Sequence, residues 1–169
     1  MTISRMAALA LGLLASAPAA AHVTLEVQQA PANSIYRAVF RVPHGCDGAT
    51  MTRLVVQLPE GVVQARPMPK AGWTLVTTPR ADAPAPSAHG AARELGEIAW
   101  DGGRLEDAHY DEFIIRFRLP DRPGELLYIP VVQHCEGGRT AAWTQIPEPG
   151  RRVSDYRYPA PALRLLPRN

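Results

Sequence analysis

His22 follows a run of small residues that ends at Ala21, in the stretch "APAAAHVTLEV". Ala19 and Ala21 form the A-x-A pattern read by a signal peptidase. Cleavage after Ala21 makes His22 the first residue of the mature chain. An N-terminal histidine offers one metal ion two nitrogens, the free α-amine and the imidazole Nδ1. The amine has a pKa of about 8, so a metal can displace its proton at neutral pH. The backbone N–H of Val23 could supply a further donor. Amine and imidazole nitrogens suit Cu(II), although zinc or nickel would also bind such a pair. The plainer reading is that His22 is only the residue at which a leader ends.

Other residues that could carry chemistry are few. Cys46 and Cys135 are the two cysteines. In an exported protein such a pair is expected to form a disulfide, closing a loop of roughly 90 residues and contributing about 4 kcal/mol on the loop-entropy model. The rival is a thiolate metal pair. His44 and His134 each lie near a cysteine, and a disulfide would draw them together, which allows a second metal site there or two ordinary loop histidines. Met68, in "RPMP", is a candidate Cu(I) thioether or a packing residue. G-x-S-x-G, the Walker loop and H-E-x-x-H are all absent. Acidic residues are scattered over turns and surface positions, so no enzymatic activity is expected.

The elements that must position these residues read as strands. Residues 1–21 form a secretory signal peptide: Arg5 is the basic start and Met6 to Leu14 an apolar run too short to span a bilayer. Strand-like segments follow at His22 to Val27, Ile35 to Val42, Thr52 to Leu58, Val62 to Ala65 and Trp73 to Thr77. Further ones are Glu97 to Trp100, Asp111 to Leu119, Leu126 to His134 and Ala141 to Ile146. "DGG" after Trp100 reads as a tight turn. Helical periodicity is missing from every long window. The expected fold is all-β, an antiparallel β-sandwich of the immunoglobulin or cupredoxin kind. The domain is placed at residues 22–147, with 148–169 as a Pro/Arg-rich C-terminal tail that drapes on the domain or is disordered. "PRADAPAPSAHGAA" reads as a loose loop. The formal net charge is +2 over 169 residues, and no basic stripe with interleaved aromatics stands out, so nucleic acid is not an expected partner. No membrane span is expected in the mature chain.

The segments "AHVTLEV", "YRAVFRVPHGCDGATMTRLVVQLPEGV", "PMPKAGW", "YDEFIIRFRLP" and "QHCEGGRTAAW" occur in an order and spacing that resembles the YcnI-like, or DUF1775, domain. The resemblance implies an exported, periplasmic or secreted protein of copper homeostasis with a sandwich fold. It also implies Cu(II) held at the mature N-terminal histidine in a monohistidine brace, completed by a carboxylate and a nearby tryptophan. Carried over, the histidine is His22 and the tryptophan Trp143, which could equally be a core indole. Glu112, in "YDEF", is the first choice for the carboxylate, Glu26 the second and Asp111 the third. Alternation would set His22, Thr24 and Glu26 on one strand face. Each acid could instead be a solvated strand residue. Trp73 and Trp100 are expected to be structural. Expected partners are the copper ion and other envelope copper-handling proteins. The alternative is a metal-free sandwich of the envelope that serves adhesion or assembly by binding another protein.

Overall fold

The computed structural model describes residues 22–83 and 94–168. Residues 1–21, read above as a signal peptide, and most of the Ala/Pro-rich loop, with its His89, lie outside the described residues. The chain forms β1 (Thr24–Leu25), β2 (Gln29–Pro31), β3 (Ile35–Val42), β4 (Met51–Gln57), β5 (Val63–Pro67) and β6 (Thr74–Pro79). Then come β7 (Leu95–Leu105), β8 (Asp111–Arg118), β9 (Leu126–Tyr128), β10 (Val131–Cys135), β11 (Thr140–Trp143) and β12 (Ala162–Leu166). One sheet runs β1-β3-β8-β5, a second β11-β10-β4-β7-β6, and a third β2-β12-β9.

The two larger sheets supply the core by alternation. In β8 every second residue, Phe113, Ile115 and Phe117, is essentially inaccessible, and in β3 Ala38, Phe40 and Val42 are likewise. Leu54, Val56, Ile98 and Trp100 answer from the second sheet. Each large side chain so buried stabilises the fold by roughly 2–3 kcal/mol. Trp73 and Trp100 both meet Phe113 edge-on, at centroid distances of 5.1 and 5.3 Å, and the Trp100 Nε1–H donates to the Met68 carbonyl. Both indoles are thus structural.

Three differences from the sequence reading have physical causes. The "DGG" segment is not a tight turn; it lies inside β7, where pairing with β4 shifts register between Met51 and Arg53. Gly103 is needed there because the Trp73 indole lies on its backbone, and a Cβ would sit 2.1 Å from Trp73 Cδ2. Leu126 to His134 is two strands, because Pro130 lacks the N–H that an uninterrupted ladder needs. Part of the 148–169 segment is a strand: in β12, Leu163 and Leu165 are fully buried while Arg164 points out. β12 pairs antiparallel with β9 but parallel with β2, the one parallel pairing among the described strands.

Candidate functional site

His22 precedes β1, which is an edge strand of its sheet; Trp143 ends β11, an edge strand of the facing sheet. The two edges meet, and the imidazole and indole contact edge to face, with centroids 5.4 Å apart and planes at 87°. Val23 and Leu25 anchor this end by burial, at 1% and 2% exposure. β1 spans only Thr24–Leu25, so His22 and Glu26 both lie outside the strand. His22 also borders a cavity of about 160 Å³, walled mainly by Val23, Leu25, Pro159 and Pro161.

Trp143 is fixed on its other sides. Tyr158 meets it edge-on at 5.2 Å. Its Nε1–H donates to Gln133 Oε1 at 2.6 Å. Gln133 is the one polar side chain wholly buried among the described residues. Its Nε2 donates to the His44 carbonyl at 2.9 Å and lies 3.5 Å from Met51 Sδ. The indole donor is therefore occupied, and what Trp143 presents to His22 is its ring. Gln133 orients the tryptophan, and nothing in "VVQHC" marks a lone glutamine for that part.

Gln133 also stands two residues before a disulfide. Cys46 and Cys135 are bonded, with Cα atoms 6.0 Å apart, so the thiolate-pair reading falls. Cys46 opens a tight turn closed by reciprocal backbone hydrogen bonds with Ala49. Gly45 fits beside that turn only without a side chain, since a Cβ would lie 2.0 Å from the Ala49 carbonyl oxygen.

The acids expected at the site are each engaged with a basic residue. Glu26 Oε1 accepts from Arg41 Nη2 at 3.1 Å, and Glu112 Oε1 lies 3.7 Å from Arg41 Nε while also accepting the Tyr110 hydroxyl. Glu112 faces Arg41 directly across β8 and β3, and Arg41 faces Thr24 across β3 and β1. Asp111 holds Lys70 at 2.7 Å. His44 Nδ1 lies 2.7 Å from the Gly45 carbonyl oxygen and 3.7 Å from Asp107. His134 stands opposite Arg53 and Thr140 in its sheet. Met68 is 53% exposed at a surface edge. Among the described residues no three His, Cys, Asp or Glu side chains are grouped to hold a metal ion.

The structure thus joins His22 to Trp143 and places the carboxylates around Arg41. In the unprocessed chain the His22 nitrogen is a peptide amide. The residues fit a copper site to this extent: cleavage after Ala21 would give His22 an amine beside an imidazole that is already held against a ring.

A family model described as a domain of unknown function, DUF1775, matches residues 22–165. That match starts at His22 and reaches into β12. The chain is also similar to a solved protein from Nocardia farcinica described as uncharacterized with an immunoglobulin-like fold. The two share 27% identity at a TM-score of 0.68, over 86% of this chain and 98% of that one. No curated protein matches the chain.

Proposed function

The chain belongs to the DUF1775 family, and on that premise we propose that its mature form is an exported copper-binding protein of copper trafficking or homeostasis. The observation that carries the reading is the His22–Trp143 contact at the first residue of the family match. A mature N-terminus at His22 gives an amine and an imidazole on one residue, a pair of nitrogens that suits Cu(II). Trp143 covers the imidazole on one side, and Gln133 keeps the indole in place through its buried hydrogen bond. Glu112 or Glu26 supplies the carboxylate by releasing Arg41, since both are partly exposed and neither is locked in the core. The ion is cargo in this reading, taken up and passed on in the envelope, and no substrate is turned over.

The test is a Cu(II) titration of two forms, one beginning at His22 and one with a single extra residue before it. The form beginning at His22 should bind tightly, with quenching of tryptophan fluorescence. The extended form should lose most of that affinity because its amine is moved off the histidine. Equal binding by both forms would sink the chelate.

A further inference from the structure

The outer face of the β1-β3-β8-β5 sheet carries an arrangement of charge that the copper reading does not use. Arg37 in β3 stands directly opposite Arg116 in β8, and Arg116 directly opposite Arg66 in β5. Three like charges thus lie side by side across three neighbouring strands, a row spanning about 10 Å. Like charges in directly opposed positions destabilise a sheet. All three side chains belong to exposed residues. Every Asp and Glu of the sequence falls among the described residues, so any acidic side chain able to offset the row is in view. Arg37 has only Glu26, at 3.8 Å; Arg66 and Arg116 form no ion pair among the described residues.

The row depends on a built irregularity. Val63 pairs with Arg118, and a regular ladder would then put Ala65 opposite Arg116. A bulge between Val63 and Arg66 shifts the register, so that Arg66 takes that position. Ala65 turns instead toward the core. The bulge carries Gln64 at φ 55°, a left-handed conformation that disfavours glutamine. A bulge that re-aims one side chain, at a strained residue, into unfavourable company calls for a function.

We propose that this face is a docking surface for an acidic segment of a partner protein, whose carboxylates are received by Arg37, Arg66 and Arg116. Guanidinium groups match carboxylates through paired N–H donors. A lipid surface fits less well, because Glu26 and Glu112 share this face around Arg41 and would be repelled by headgroup phosphates. A protein partner can carry both signs, setting acids on the arginine row and a cation beside the two glutamates, which fixes its orientation. Ile35, 40% exposed at the end of β3, adds an apolar contact on the same face.

A short fluorescent peptide of alternating Glu and Thr would be titrated with the protein, following anisotropy, alongside vesicles of phosphatidylcholine and phosphatidylglycerol in equal parts. The peptide should bind, more weakly as salt is added. Arg66→Gln with Arg116→Gln should weaken binding by about tenfold, two exposed pairs being lost. Arg104→Gln, on the other sheet, should change nothing. Arg66→Glu with Arg116→Glu should reject the acidic peptide and take up a Lys–Thr counterpart. All three exchanges are at exposed positions, and far-UV circular dichroism checks that each variant folds. Unaltered peptide binding by the double glutamine variant, or binding to the vesicles without binding to the peptide, overturns the proposal.

Discussion

Replacing Gln133 by leucine removes one side chain and strands two polar groups. Trp143 loses the acceptor 2.6 Å from its Nε1, and the His44 carbonyl loses the donor 2.9 Å away. Trp143 is only 3% exposed, so its N–H has no ready access to water, and an orphaned buried donor costs about 1–3 kcal/mol. His44 is partly exposed, and its carbonyl can recover a water for about 0–1 kcal/mol. Leucine returns roughly 1 kcal/mol through its greater apolar content. The net expectation is a loss of about 1.5 kcal/mol, or a fall in Tm of about 3–6 °C for a domain of about 150 residues. Thermal unfolding followed by far-UV circular dichroism gives the stability. The near-UV band reports the freed indole, and NMR gives the indole N–H resonance directly. A loss below about 0.5 kcal/mol, with the near-UV band and the indole resonance unchanged, would show that Gln133 does not orient Trp143.

The disulfide closes an 89-residue separation, so Cys46→Ala with Cys135→Ala should cost about 4–5 kcal/mol, read from the guanidinium midpoint; a midpoint that stays in place would count against the loop argument. Gly103→Ala should destabilise by about 1–3 kcal/mol and shift Trp73 emission, because the new methyl must displace the indole above it. The Tyr36 hydroxyl is pushed from the ordinary 10.0 up to about 12, first by burial and then by the charge of Glu26. The unfolded chain releases that proton first, so stability is complete below pH 10 and falls as the pH rises toward 12, by at most about 2–3 kcal/mol. Tyr36→Phe should flatten that alkaline decline in a series of denaturation midpoints, and an unchanged slope would show that Tyr36 is not its source.

The strands that could be read from sequence were those whose burial alternates without interruption. β3 matches its expected bounds, Ile35–Val42, and β8 ends one residue short of the expected Leu119. β12 was hidden because "ALRLL" is brief and sits among prolines and arginines, so composition outweighed its alternation. The split is a local effect of Pro130, which the sequence does display, whereas the continuation of β7 through two glycines depends on pairing partners far away in sequence. At the site, the resemblance pointed to His22 and Trp143, and the contact between them is present. The residue types of Glu26 and Glu112 suggested ligands but gave no sign of Arg41 between them, because cross-strand register is not a local property. Gln133 matters through burial, and burial of one amide in an apolar strand has no sequence signature. The arginine row escaped notice for a related reason: its members are spread over three strands and aligned by a bulge.

The parallel pairing of β12 with β2 bears on when the fold can close. Residues 29–31 have their hydrogen-bonding partner in residues 164–166. A chain made from its N-terminus must therefore leave β2 without this partner until residues 164–166 have emerged. Such distant pairing is slow to form. The cavity beside His22 waits as well, since Pro159 and Pro161 form part of its wall. Loss of β12 would leave β2 without its hydrogen-bonding partner. β12 acts as a clasp on β2, and His22 has its finished surroundings only once Pro159 and Pro161 are in place.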